Sequence, residues 1–169
     1  TSRDLALQKE ELINHLDKKI VEYIVKLQRN AMNEKESGKA SILMQAINDL
    51  ERIGDHAENI VELADVSIEK KVDFSEDAIG ELRSMIELTD ETIACAIPAL
   101  EEHDTKAAQQ VLEMESRLDE MEREYRKNHI HRLNQHLCTG NSGAVFVDFL
   151  SNLERMGDHS KNIDRKSVV

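Results

Sequence analysis

Apolar residues recur at every third or fourth position along most of the chain, which predicts five amphipathic helices. The first is expected from about Asp4 to Met32, with Leu5, Leu12, Leu16, Ile20, Tyr23 and Leu27 on one face. A polar break at Glu36-Ser37-Gly38 leads to a second, from about Lys39 to Lys71. In it, Leu43, Ala46, Ile47, Leu50, Ile53, Ala57, Ile60, Val61 and Ala64 share one arc of roughly 140°. Ser75 reads as the N-cap of a third helix, with Glu76 and Asp77 in its first turn. That helix carries Leu82, Ile86, Thr89 and Ile93 and is expected to bend or end at Pro98. Asp104 caps a fourth, which reaches about His136. Thr139-Gly140-Asn141-Ser142-Gly143 is the clearest turn, and the fifth helix is expected from about Ala144.

The helices repeat. Leu50-Glu51-Arg52-Ile53-Gly54-Asp55-His56 recurs as Leu153-Glu154-Arg155-Met156-Gly157-Asp158-His159, and Asn59-Ile60 as Asn162-Ile163, all at an offset of 103 residues. Leu16-Asp17 with Glu22-Tyr23 matches Leu118-Asp119 with Glu124-Tyr125 at an offset of 102. Helices one and two are thus copied as four and five, and the third has no second copy. The expected division is residues 1–103 as a first three-helix repeat and 104–169 as a second repeat lacking its third helix. A partner, or a neighbouring segment of a longer protein, is expected to cover the face so exposed. The absence of an initiator Met points the same way.

Composition narrows the function. One Pro, six Gly and 3% aromatics leave few of the signals that punctuate β-rich folds. The formal charge of -12, from 22 basic and 34 acidic residues, repels phosphate backbones and argues against nucleic acid as a ligand. Cys95 and Cys138 have no CxxC neighbour and read as free thiols of a reducing compartment. The longest apolar run, residues 93–100, is too short to span a bilayer, so no direct membrane insertion of this chain is expected.

The acidic residues are patterned. Glu51, Asp55 and Asn59 are spaced i, i+4, i+8 and form one stripe beside the apolar seam; Glu154, Asp158 and Asn162 repeat it. Like charges at that spacing destabilise a bare helix by roughly 0.2–0.5 kcal/mol per pair. A hard cation relieves that repulsion, because carboxylate oxygens are the ligands it prefers. Arg52 and Arg155 are the other candidates, on a different side of the helix by spacing. Glu115 and Asp119, with Glu122 as a weaker member, offer a facing stripe on the fourth helix, and bundle-core metal sites are built this way. The first half looks poorer, resting on Asp17, Glu51, Asp55 and Glu58, so the second site is expected to bind more tightly. Gly54 and Gly157 lie between arc and stripe, where a glycine admits a closely packed helix. His56 and His159 point about 100° away from the aspartates and read as surface or packing residues. His129, His131 and His136 read as favourable charges at a helix C-terminus. No nucleophile with a base and no Gly-rich phosphate loop is present, and Gly54 and Gly157 stand where a di-iron Glu-x-x-His motif needs its histidine.

The doubled ERxGDxxxNI-type motif, at Leu50 to Ile60 and Leu153 to Ile163, resembles that of the PhoU family over nearly the whole chain. The tract Leu16 to Tyr23 and the end after Asn162-Ile163 look most like the PhoU-like C-terminal domain of bacterial sodium/phosphate cotransporter-type proteins. The resemblance implies an all-α fold of two tandem antiparallel bundles. It also implies a cytoplasmic, non-enzymatic regulator of phosphate uptake at the inner face of the cell membrane. Its metal ions would be iron, zinc, manganese or magnesium, held at Glu51, Asp55, Glu115, Asp119, Glu154 and Asp158, with Asn59 and Asn162 as companions. Its partner would be a membrane phosphate transporter domain in the same full-length chain, or a second copy forming a homodimer. The alternatives are a metal-dependent phosphate-ester hydrolase and a metal-free helical scaffold.

Overall fold

The computed structural model describes the backbone of residues 2–102 and 104–167 and the side chains of residues 3–98 and 104–163. Five helices make up the described residues: α1 (Ser2–Gln28), α2 (Glu34–Glu69), α3 (Glu76–Glu102), α4 (Thr105–Asn134) and α5 (Gly140–Ser167). The all-helical expectation holds, and three boundaries move for local reasons.

The break between α1 and α2 falls before Asn33, because Asn33 and Glu36 form a capping box. The Glu36 amide donates to Asn33 Oδ1 at 2.9 Å, and the Asn33 amide donates to Glu36 Oε2 at 3.0 Å. Gly38, expected in the break, lies in helix with open space around it. At the other end of the chain, α5 starts at Gly140 instead of Ala144. Thr139 Oγ1 accepts from the Ser142 amide, Ser142 Oγ accepts from the Thr139 amide, and the helix begins inside the expected turn. Pro98 lies within α3 and does not end it. Ser75 and Asp104 cap α3 and α4 as expected, through bonds to Ala78 and to Lys106 and Ala107.

The main core lies among α3, α4 and α5. Met85, Leu118, Phe146 and Leu150 are fully buried there, with Leu82, Met121, Phe149 and Leu153 around them. Arg132 closes one end of it. Its guanidinium donates to both carboxylate oxygens of Glu81, at 3.1 and 2.6 Å, and sits 5.2 Å from the centre of the Phe146 ring. His129 is not a solvent-facing charge at a helix end. It is buried against Phe146 and holds a place that only Gly143 leaves open, and burial lowers its pKa, with Arg132 acting the same way.

The helix α5 packs on α2, α3 and α4, whereas α1 packs on α2 alone among the described residues. The repeat runs α1–α2 and α4–α5 along the chain, and in space α3 fills the groove of the second pair. Among the described residues, no helix other than α2 packs on α1. The leucine stripe of α1 therefore faces outward, with Leu12 55% and Tyr23 62% exposed. The face against α2 lies about 100° round the helix, where Ile13, Val21 and Ile24 are buried or partly buried beside Glu10, Asn14 and Asp17. No helix of the described residues is long and apolar enough to cross a membrane.

Candidate cation sites on the two helix pairs

The two motif copies cross where α2 meets α5, and they do so with local two-fold symmetry. His56 Nδ1 lies 2.9 Å from Asn152 Oδ1, and His159 Nδ1 lies 2.9 Å from Asp49 Oδ1. Asp49 and Asn152 occupy equivalent positions at the offset of 103, as the histidines do. The Asn152 amide nitrogen is spent on the Asp148 carbonyl, so its oxygen faces His56, which must donate from Nδ1. Both histidines are thus packing residues of the crossing, in line with the reading from spacing. Ile53, Met156 and Ile163 form a small apolar cluster beside them.

Each motif glycine receives a side chain from the other helix of its pair. A Cβ on Gly54 would meet Ile13 Cδ1 at 3.3 Å, and a Cβ on Gly157 would meet Leu118 Cδ1 at 2.6 Å. Ile13 and Leu118 therefore play the same part, and their offset is 105, not the 102 expected from Leu16-Asp17. The equivalences across the pairs follow from this register. Glu10 corresponds to Glu115, Asn14 to Asp119, and Asp17 to Glu122. On α2 and α5, Glu51 corresponds to Glu154, Asp55 to Asp158, and Glu58 to Lys161.

On the first pair, Glu51 and Asp55 of α2 face Glu10 and Asp17 of α1. Burial pushes the Glu51 carboxyl above its usual range, and the charges of Asp55, Asp17 and Glu10 push it further. Glu58 is raised in the same way, first by partial burial and then by Glu10, Glu62 and Asp55. Arg52 is closer than its position on the helix suggested. It reaches Glu51 at 3.9 Å and Asp55 at 3.5 Å from the solvent side. Glu10, Asp17, Glu51, Asp55 and Glu58 thus make up this stripe, and among the described residues Arg52 pairs with two of them.

The second pair has the same number of carboxylates and more internal positive charge. Glu115 is buried on α4, and Lys161 of α5 donates to it and to Asp158 Oδ1, the latter at 3.4 Å. Burial opposes the charge of Lys161, but the bonds and charges of Glu115 and Asp158 outweigh it and raise the lysine pKa. Burial raises the Glu115 carboxyl, against the pull of Lys161. Arg126 pairs with Glu122 and donates to Ser151 Oγ at 2.7 Å. Glu154 is raised by burial and by Asp158, Asp119 and Glu122. The position equivalent to Arg126 on α1 is Val21.

Across each pair the carboxylates are close enough to perturb one another. As the side chains stand, no three His, Cys, Asp or Glu residues among those described converge into a group that could hold a metal ion. Asn59 turns to the crossing and donates to Asn152 at 3.2 Å, while Asn162 is partly buried on α5. Sequence reasoning missed Glu10, Lys161, Arg126 and Asp49. The first had a signal: Glu10-x-x-Ile13-x-x-x-Asp17 matches Glu115-x-x-Leu118-x-x-x-Glu122. Lys161 had one too, since it stands at the offset of 103 from Glu58, but the carboxylates it reaches are set by the fold.

A family model described as "PhoU domain" matches residues 3–64 and 82–166. The chain is 28% identical over 159 residues to a phosphate-specific transport system accessory protein, PhoU homolog 1, of Thermotoga maritima, covering 93% of this chain and 67% of that protein. Its fold is that of the crystal structure of PhoU from Pseudomonas aeruginosa, with a TM-score of 0.90 at 20% identity over 98% of this chain and 79% of the other. The phosphate transport system regulatory protein PhoU from Streptococcus pneumoniae gives a TM-score of 0.83 at 20% identity, over 98% and 77% of the two chains.

Proposed function

The chain belongs to the PhoU domain family, and from that premise we propose that it is a regulatory, non-enzymatic module of a phosphate transport system whose acidic stripes bind divalent cations. The observation that carries the regulatory part is the family match across both repeats, together with likeness to a phosphate-transport accessory protein over most of this chain. What supports cation binding is the net negative charge of the α1–α2 stripe, where Arg52 pairs with Glu51 and Asp55 but burial and mutual repulsion still raise Glu51 and Glu58. Glu10, Asp17, Glu51, Asp55 and Glu58 would hold the ion there. All are oxygen donors, which suit magnesium or manganese as well as iron. A bound cation relieves the repulsion between α1 and α2 and so fixes one helix against the other.

The partner in this reading is a membrane phosphate transporter domain, of the sodium/phosphate cotransporter type and in the same full-length chain. The module then sits at the cytoplasmic face of the membrane. The outward leucine stripe of α1 supports a partner at this end of the molecule, since Leu5, Leu12, Leu16, Ile20 and Tyr23 are all well exposed. Radiolabelled phosphate uptake tests the proposal in cells whose own copy of the gene carries Glu51→Ala with Asp55→Ala. Uptake that no longer responds to external phosphate is the expected result. A response identical to that of the parent cells contradicts it.

A further inference from the structure

The two halves differ at one equivalent position in a way that changes what they bind. Glu58 of α2 and Lys161 of α5 stand at the same place in the repeat, three residues after the motif aspartate. On the second pair, the Lys161 ammonium donates to buried Glu115 of α4 and to Asp158 of its own helix. Those are two of the carboxylates that an ion bridging α4 and α5 would need. We propose that Lys161 is a tethered cation that takes the place of a metal ion between α4 and α5, leaving the α1–α2 stripe as the cation-responsive half.

Three observations converge on this. The ammonium supplies a positive charge in the position where the symmetric half has Glu58, so the internal duplication itself provides the control. Arg126 adds a second built-in charge by pairing with Glu122, and its counterpart on α1 is Val21. Glu115 is 7% exposed, and a side-chain ammonium bound to it is held at far higher effective concentration than a free ion. A metal entering there would have to displace the lysine and leave that charge without its carboxylate partners. On the α1–α2 stripe the competing charge is Arg52, which pairs with Glu51 and Asp55 from the exposed side, where solvent screens it and an ion displaces it more easily than it displaces Lys161 from buried Glu115. On this proposal the order of the sites is the reverse of that expected from the sequence. The pair α4–α5 is also packed against α3, whereas α1 packs on α2 alone among the described residues, so a cation acting between α1 and α2 has one helix contact to reinforce.

This inference rests on the cation reading given above, and the experiment separates the two. Manganese alone is titrated calorimetrically into the chain and into Lys161→Glu, which restores the chemistry of Glu58, with Lys161→Met as the variant should the glutamate not fold. The unmodified chain is expected to bind one ion and the Lys161 variant two. Two ions on the unmodified chain, or one on the variant, overturn the tethered-cation role while leaving the cation reading intact. No ion on the unmodified chain overturns the cation reading. The lysine is then judged by melting in a chelator, where Lys161→Met is expected to lower the Tm by roughly 2–4 °C. Adding Glu115→Gln should then cost less than Glu115→Gln alone. Additive losses would show that the lysine and the carboxylate are not a functional pair.

Discussion

His56 and His159 stack across the α2–α5 crossing with ring centroids 5.7 Å apart and planes inclined by 25°. Each donates to the opposite helix at an equivalent position, Asn152 in one case and Asp49 in the other. The symmetry is broken in chemistry, because one acceptor is a neutral amide and the other a buried carboxylate. His159→Ala removes a partner of buried Asp49 and is expected to cost about 1–3 kcal/mol. The matching His56→Ala leaves a more accessible amide and should cost less. Chemical denaturation of the two variants checks the order, and a larger loss for His56→Ala would contradict it.

The motif glycines give a second ordering. Alanine in place of a helical glycine gains about 1 kcal/mol of helix propensity, against which stands the space each Cβ meets. At Gly54 the new methyl touches Ile13, a partly buried side chain that can shift by a few tenths of an ångström, so Gly54→Ala should be close to neutral. At Gly157 it runs into Leu118 inside a packed core, and at Gly143 into the buried ring of His129, 2.3 Å away. Gly157→Ala is expected to lose about 1–2 kcal/mol net and Gly143→Ala more, since a ring has no flexible end to turn aside. Thermal melting of the three variants tests this.

Removing one side of the Glu81–Arg132 pair leaves the other charged and buried. Arg132→Ala is expected to cost about 3–5 kcal/mol, and it also exposes the face of Phe146 that the guanidinium covers. Glu81→Gln keeps the bond from Asn128, at 2.8 Å, and should cost less. Equal losses would mean that charge plays no part at this end of the core.

Stability should depend on pH in a direction set by four carboxylates. Glu51, Glu58, Glu115 and Glu154 all have folded pKa values above their usual range, so the folded chain binds protons more readily than the unfolded one. Stability from these groups is present at low pH and is lost as pH rises through their raised values. The Tm measured in a chelator should therefore rise as pH is lowered from neutral toward the upper edge of the carboxylate range. Divalent cation at neutral pH should restore the part of that rise that comes from Glu51 and Glu58 of the α1–α2 stripe. A Tm that falls steadily on acidification over that interval would contradict the assignment. Lys161 works in the opposite range: its raised pKa contributes stability through neutral pH that is lost only in strong alkali, as pH rises through its folded value.

Much of the fold was legible because the duplicated motif on α2 and α5 is long and exact enough in register to fix the helices around it. The α1–α4 match was legible only in part. Leu16-Asp17 and Leu118-Asp119 are alike as letters, but the residues that fill the glycine gaps are Ile13 and Leu118, one turn out of step with that alignment. Glu10 was lost from the site for this reason. The leucine stripe of α1 predicted a helix correctly and its buried face incorrectly, because a lone sequence does not say whether a third helix is present to cover it. The Asn33–Glu36 box and the Thr139–Ser142 cap were readable signals; Pro98 and Gly38 carried more weight in the sequence than in the folded chain. The part played by Lys161 depends on which carboxylates the fold brings to it, and no spacing rule contains that.

On the proposal made for Lys161, a divalent cation goes to α1–α2 and not to α4–α5. Paramagnetic broadening of amide signals by substoichiometric manganese reads the location directly. Signals around residues 10–17 and 51–58 are expected to be lost, with those around Glu115, Glu154 and Lys161 preserved. Broadening centred on Glu115, Glu154 and Asp158 would contradict it.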